Sequence, residues 1–175
     1  MLMPGSDFPK ALALGLLASL SLFIALLLIN EPLQTSAAPK GIVSFQMAGT
    51  LDHASEILKS WDSSAVASAR TSLWLDFAFA GAYVLTLLLL TIHLSRDRPG
   101  RRARAVSRWV RGLFIAAGAA DVAENILLLN NLDSPNEATS LAAALCALAK
   151  FTGLILGLAG LVILRAARRH GLHRR

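Results

Sequence analysis

Apolar residues run almost without interruption through four stretches of this chain, 11–29, 72–93, 110–129 and 141–164. Each stretch has about the 20 residues that a helix needs to cross a hydrocarbon layer about 30 Å thick. The alternating pattern of barrel strands is absent, and a backbone inside lipid must satisfy its own hydrogen bonds. We therefore predict an all-α fold, a four-transmembrane-helix bundle that forms a single membrane domain over residues 1–175.

Two of these stretches carry signals about their place in the bundle. The first is longer than the apolar core of a signal peptide, about 7–15 residues, so we interpret it as an uncleaved anchor. It holds no charged residue between Lys10 and Glu31, and we expect it to close the bundle rather than supply a site. The fourth has Gly153 and Gly157 at a spacing that lets helices approach closely.

The segment between the first two stretches, 30–71, is predicted to be an outer lid loop with structure of its own. Thr50 or Asp52 is expected to cap a helix there, and Trp61 to lie at the level of the lipid head groups. A short amphipathic extracytoplasmic helix is predicted because apolar residues recur at helical spacing, namely Leu51, Ala54, Ile57, Leu58 and Trp61.

Two arrangements of this segment remain open. The apolar residues 41–47 and the short helix either form a lid over the outer mouth of the bundle or lie on the outer leaflet. If they form a lid, Gln46 and His53 are the candidate residues facing a ligand.

Arginines set the predicted orientation. The net charge of +6 comes largely from a basic loop, 95–109, and a basic tail, 165–175. The positive-inside rule makes both cytoplasmic, together with both termini. Basic residues beside a membrane also attract anionic head groups. We therefore expect membrane lipids as partners, and no nucleic acid.

Composition supports a membrane protein and excludes several kinds of chemistry. Hydrophobic residues make up 55% and charged residues 16% of the chain, and its mean hydropathy is +0.57, which is too apolar for an ordinary soluble domain. Cys146 is the one cysteine, so the chain has no internal disulfide and no thiol relay. No two histidines share a stretch, and no glycine-rich nucleotide loop is present. We expect no cofactor and no metal.

Ionisable residues inside the apolar stretches are the candidate chemistry. A charge near the bilayer centre costs at least roughly 2.5–3.5 kcal/mol, so such residues usually face a bundle interior or a water-filled cavity. Asp121 lies about 16 Å from the start of its stretch and Lys150 about 14–15 Å from the start of the next, which places both near the midplane. The residues predicted to form a polar column are Asp76, Tyr83, Asp121, Glu124, Asn125 and Lys150.

The charge balance of this column is unequal, with three carboxyl groups for one ammonium group. At least one carboxyl group is expected to hold a proton, as an acid catalyst, a proton carrier or a cation site requires. Asp121, Glu124 and Lys150 are the candidate catalytic residues, and all six residues of the column are candidate ligand-binding residues. The alternative is a set of polar contacts that only fixes the register of the helices.

Several motifs together resemble an uncharacterised family of bacterial four-helix integral membrane proteins. The motifs are Leu75-Asp76-Phe77, Asp121-Val122-Ala123-Glu124-Asn125 and Lys150-Phe151, after an outer segment FQMAGT at 45–50. The resemblance covers most of the chain. It implies the four-helix architecture and a bacterial inner (cytoplasmic) membrane, and it implies no reaction.

Three classes of function follow from the column. The first is binding or processing of a small lipid-like or amphipathic ligand, with or without catalysis. The second is a proton- or cation-coupled transporter, which four helices would support as a homodimer. The third is a non-catalytic subunit of a membrane assembly, whose charges pair with another chain.

Overall fold

The described residues form helices and no strands. The computed structural model describes residues 7–96 and 101–172. Four of its helices are long and apolar enough to cross a membrane, which confirms the prediction of an all-α chain with four spanning-length helices. In chain order the helices are α1 (Asp7–Asn30), α2 (Ile42–Gln46), α3 (Leu51–Ser60), α4 (Ser63–Ser95), α5 (Arg101–Asp133) and α6 (Glu137–Leu172).

The long helices extend beyond the apolar stretches that predict them. Helix α4 begins at Ser63, where Asp62 Oδ1 accepts a hydrogen bond from the backbone N–H of Ala65 at 2.7 Å. Helix α5 begins at Arg101, so much of the segment predicted as a basic loop is helical. Helix α6 runs to Leu172 through most of the predicted tail. Hydropathy marks membrane depth, whereas a helix continues until a capping residue ends it. Residues 97–100 and 173–175 of these segments lie outside the described residues.

Helix α5 packs against both α4 and α6, while α1 packs mainly against α4. The α1 surface remains largely exposed, as at Leu14 and Leu28. The predicted close approach of the fourth stretch occurs between α6 and α5: a Cβ at Gly157 would overlap the ring of Phe114, and one at Gly153 would lie 3.1 Å from Ala117 Cβ. Helices α5 and α6 therefore pack this closely because glycine has no side chain at these two positions.

Residues 31–62 form a lid on the end of the bundle where α1 and α5 end and α4 and α6 begin. Its helix α3 lies where the sequence predicts it, and Thr50 Oγ1 accepts a hydrogen bond from His53 N–H at 3.3 Å. On which side of a membrane this helix lies stays a prediction. The core that the lid shares with α4, α5 and α6 contains Leu33, Ala38, Phe45, Ala54, Ile57, Trp61, Ala65, Leu73, Leu128 and Ala143.

The side chain of Trp61, which the sequence predicts at the level of the lipid head groups, packs inside the lid. Its side chain is 6% exposed, its Nε1–H donates to the backbone oxygen of Leu33 at 2.9 Å, and its ring centroid lies 5.4 Å from that of Phe45. A carbonyl acceptor and an aromatic neighbour within the lid replace the wet interface that a tryptophan otherwise prefers. These contacts favour a packed lid over a helix lying on the leaflet.

The lid is joined to the long helices at both α2 and α3. Asn30 Oδ1, at the end of α1, accepts from Ile42 N–H at 2.8 Å. Gly41 makes this possible, because its φ of 60° suits glycine and a Cβ there would overlap the Asn30 amide. Glu137 Oε2, at the start of α6, accepts from Leu51 N–H at 2.6 Å, so an anion lies at the N-terminus of α3.

Candidate functional site

Lys150 is the centre of a buried ionic group contributed by α4, α5 and α6. Its Nζ lies 2.9 Å from Asp121 Oδ1 and 2.7 Å from Glu124 Oε2. Tyr83 donates its hydroxyl hydrogen to Asp121 Oδ2 at 2.9 Å. Lys150 is 6% exposed, Asp121 2% and Glu124 0%. In the structure Lys150 therefore bridges both acids.

A second polar contact joins α4 and α5 beside this group. Asn125 Nδ2–H donates to Asp76 Oδ2 at 2.9 Å. Asn125 is fully buried, while Asp76 is half-buried. The structure therefore brings the six residues of the predicted column into two neighbouring groups. One is the ionic group, and the other is the hydrogen bond between an amide and a carboxyl group.

Some buried oxygen atoms in these groups have spare hydrogen-bonding capacity. Glu124 Oε1 and Asn125 Oδ1 have no hydrogen-bond partner among the described residues. Glu124 Oε2 lies at ion-pair distance from Lys150 Nζ without the geometry of a hydrogen bond. A buried acceptor without a donor costs about 1–3 kcal/mol. The described residues therefore do not supply enough hydrogen-bond donors for these buried acceptors.

A cavity of about 480 Å³ borders the ionic group. Asp76, Tyr83, Asp121 and Lys150 form its polar wall. Glu124 and Asn125 are not among its lining residues, so they lie behind the polar wall. The apolar walls come mainly from α1, α4 and α6 and include Leu16, Phe23, Leu27, Phe79, Leu154 and Leu158.

The cavity reaches the lateral surface of the bundle between α1 and α6. Leu16 and Leu27 on α1, and Phe151 and Leu158 on α6, line the cavity and are also exposed. If the long helices span a membrane, this surface faces lipid. The polar wall is then accessible from the side through an apolar entrance.

Polar residues also mark the two ends of the cavity. At the lid end, Gln46 on α2 lines the cavity and is 7% exposed, and its amide makes no hydrogen bond within residues 7–96 and 101–172. At the other end, Ser19 Oγ and Thr86 Oγ1 lie 3.3 Å apart. The other lid candidate, His53, is exposed on α3 and does not line this cavity.

Aromatic rings surround the polar wall. The ring centroids of Phe79 and Tyr83 are 5.2 Å apart, in an edge-to-face arrangement, and those of Phe23 and Phe79 are 6.0 Å apart. Lys150 Nζ lies 5.0 Å from the ring centroid of Phe151, within the range of a cation–π interaction. These rings make the surroundings of the polar wall apolar.

Several lining residues were missed in the sequence, although a signal for some of them is present. Asp76, Phe79, Tyr83 and Thr86 follow one another at intervals of three and four residues, so they share a face of α4. Extending the face beyond Tyr83 would have reached Thr86. Ser19 was missed because the first stretch was expected only to close the bundle.

Comparison with protein-family models, with characterised proteins and with solved structures finds no match to this chain. Within the described part of the chain, no three His, Cys, Asp or Glu side chains are grouped so that they could hold a metal ion. The candidate site therefore has to be interpreted from its own geometry.

Proposed function

We propose that this chain is an integral membrane protein whose lateral cavity binds a small lipid-like or amphipathic ligand. The observation that supports this proposal is that one cavity combines apolar walls open to the side with Asp76, Tyr83, Asp121 and Lys150. Its volume of about 480 Å³ lies within the range of small-molecule sites, about 300–1,000 Å³. An amphipathic molecule would enter between α1 and α6 and place its polar group against the ionic group.

The charges of the cluster favour one kind of polar group. Asp76, Asp121 and Glu124 outnumber the single cation, Lys150, and the balance stays negative even if one carboxyl group is protonated. An anionic head group would be repelled and would also lose its hydration. A head group that donates hydrogen bonds or carries a positive charge, such as an alcohol or an amine, suits this wall. Gln46 would contact the same ligand from the lid end.

If the bound ligand is processed, the candidate acid–base groups differ in their access to it. Asp121 and Lys150 line the cavity, so they would contact the ligand directly. Glu124 pairs with Lys150 from behind, so it would act through the ammonium group. This arrangement suits proton transfer at the polar end of the ligand.

The alternatives have less support. A proton- or cation-coupled transporter needs a polar route to the far end of the bundle, and the buried residues there include the apolar Val110, Phe114, Leu161 and Leu164. A non-catalytic assembly subunit would be expected to offer its charges to a partner, but Asp121 and Lys150 are buried within this chain. The polar contacts also fix helix register, and this role is compatible with ligand binding.

We infer a bacterial inner membrane from the family resemblance, and the arginines support an orientation with both termini and the end of the bundle at Arg101 on the cytoplasmic side. The lid would then lie outside, and the cavity would open to the outer half of the bilayer. Reporter fusions at the two termini and an accessibility assay on a cysteine placed at exposed His53 would test this orientation.

The experiment that tests the ligand proposal compares three single-chain probes, dodecylamine, dodecanol and dodecyl phosphate, on the full chain in detergent micelles. Binding is measured by equilibrium titration and by the shift in thermal unfolding. We expect the amine and the alcohol to bind and the phosphate not to bind. Asp76→Asn should weaken amine binding about ten-fold, because a hydrogen bond to a charged group contributes about 1.5 kcal/mol.

The matched control is Asp133→Asn, which removes a carboxylate that is exposed and lies outside the cavity. It should leave amine binding unchanged. Failure of all three probes to bind, or equal affinity of the amine for wild type and Asp76→Asn, would overturn the proposal. The polar contacts would then serve the register of the helices.

A further inference from the structure

The far end of the bundle, where α4 ends and α5 begins, carries a second polar cavity. Arg101, Arg104, Arg108 and Arg111 follow one another at intervals of three and four residues, so they share one face of α5. Together with Ser95 and Ser107 they line a cavity of about 470 Å³. This basic cavity is separate from the ionic group around Lys150.

Ser95 and Ser107 line this cavity and are held in place by hydrogen bonds. Ser107 Oγ–H donates to Ser95 Oγ at 3.1 Å, which joins α5 to the end of α4. Arg111 Nε–H donates to the backbone oxygen of Ser107 at 3.3 Å. The position of the innermost guanidinium is therefore set by its own helix, while Arg101, Arg104 and Arg108 are exposed.

The positive charge of the cavity is not neutralised by the described residues. Among the described residues, the ion pairs are those of Arg70 and Lys150 with their acids. None of them involves the four arginines of the basic cavity. Guanidinium groups bind phosphate oxygens through paired N–H donors. Arginines without a neutralising carboxylate therefore fit a phosphate group.

An apolar groove continues from the same arginines along the bundle. A neighbouring cavity of about 380 Å³ is lined by Arg108 and Arg111, and by Leu88, Ile92, Gly112 and Ile115. The space beside Gly112 is open, because a Cβ added there would meet no atom within 4 Å. Arg108 and Arg111 thus line both the basic cavity and the apolar groove.

We propose that this two-part surface binds an anionic phospholipid. The phosphate lies between the guanidinium groups of Arg104 and Arg108, and an acyl chain lies in the groove beside Gly112. Basic pockets between membrane helices are known to bind anionic head groups, and the groove adds burial of an apolar chain. An acidic peptide would use the charges but would leave the groove between the spanning helices empty.

The test is a lipid titration of the delipidated full chain in detergent, followed by native mass spectrometry. The probes are phosphatidylglycerol, phosphatidylcholine with the same acyl chains, and inorganic phosphate. We expect phosphatidylglycerol to bind about ten-fold more tightly than phosphatidylcholine, and Arg104→Gln/Arg108→Gln to remove this preference. Inorganic phosphate should not displace the lipid at millimolar concentration.

Two matched controls separate a defined site from general attraction. Arg102→Gln/Arg165→Gln removes the same charge from exposed residues outside the cavity and should keep the preference. Gly112→Leu should fill the groove and weaken the binding of both lipids, whereas Gly81→Leu, which also has open space, should not. Circular dichroism of each variant checks that the helices form.

Three results would overturn the proposal. The first is equal binding of the two lipids to the wild-type chain. The second is an equal loss of preference in the two arginine double variants, which would indicate diffuse attraction. The third is unchanged binding in Gly112→Leu or displacement of the lipid by inorganic phosphate, because either would mean that the groove holds no acyl chain.

Discussion

Lys150 and Arg108 are both cations on long helices, but their surroundings differ. Lys150 is buried and lies within 3 Å of two carboxylates from α5. Arg108 is exposed, and no described carboxylate pairs with it. In a low dielectric the chain itself must supply the counter-charge, whereas at the surface water and head groups can supply it. Burial therefore distinguishes a charge that the fold neutralises from one that it leaves to its surroundings.

The largest expected effect comes from removing the buried cation. Lys150→Met should lower the free energy of unfolding by about 3–5 kcal/mol, because two buried carboxylates lose their partner. Unfolding with sodium dodecyl sulfate, followed by circular dichroism, measures this loss. The triple variant Asp121→Asn/Glu124→Gln/Lys150→Met should recover most of the stability, since a neutral replacement of a whole ionic group is often tolerated. A loss below about 1 kcal/mol for the single variant would be the value of a surface pair and would contradict the comparison.

The next prediction tests whether close packing of α5 against α6 stabilises the end of the bundle that lacks a buried ionic group. Gly157→Ala should lower the free energy of unfolding by about 1–3 kcal/mol, because the added methyl group would overlap the buried ring of Phe114. Gly112→Ala is the control, since its methyl group would meet open space, and it should raise stability by up to about 1 kcal/mol. Equal effects of the two variants in the same unfolding assay would argue against close packing of α5 and α6.

A smaller effect is expected from the hydrogen bond that one neutral donor, the Tyr83 hydroxyl, makes to the ionic group. Tyr83→Phe removes the hydroxyl that donates to Asp121 and should cost about 0.6–1.7 kcal/mol, the range of polar contacts between membrane helices. In the Asp121→Asn background the same change should cost less, because the charged acceptor is gone. A double-mutant cycle measures this coupling. Strictly additive losses would mean that the hydroxyl contributes elsewhere.

The smallest effect is expected at an ion pair that joins the same two helices near the lid. Arg70 on α4 pairs with Asp133 on α5, and the two side chains are 40% and 64% exposed. Arg70→Gln should cause no measurable change in unfolding, because water screens an exposed pair. Salt should not alter this result. A loss comparable to that of Lys150→Met would mean that exposure does not control the strength of these pairs.

The sequence predicted much of this fold because a membrane imposes strong constraints. Four apolar stretches of spanning length became four helices, and Thr50 caps a helix at Leu51–Ser60 as its pattern indicates. The limits of the helices were less predictable. Helix α4 begins nine residues earlier than its apolar stretch, since 63 precedes 72, because Asp62 and not hydropathy sets the boundary.

By itself, the sequence determined which residues form the ionic group, because a charge inside an apolar stretch is costly and needs a partner in the bundle. The tertiary structure decided how those residues pair, since the bridge from Lys150 to both acids depends on the packing of α5 against α6. It also decided that Trp61 is buried in the lid and that α1 forms a cavity wall. Both depend on contacts between segments far apart in the chain, and no local pattern encodes such contacts.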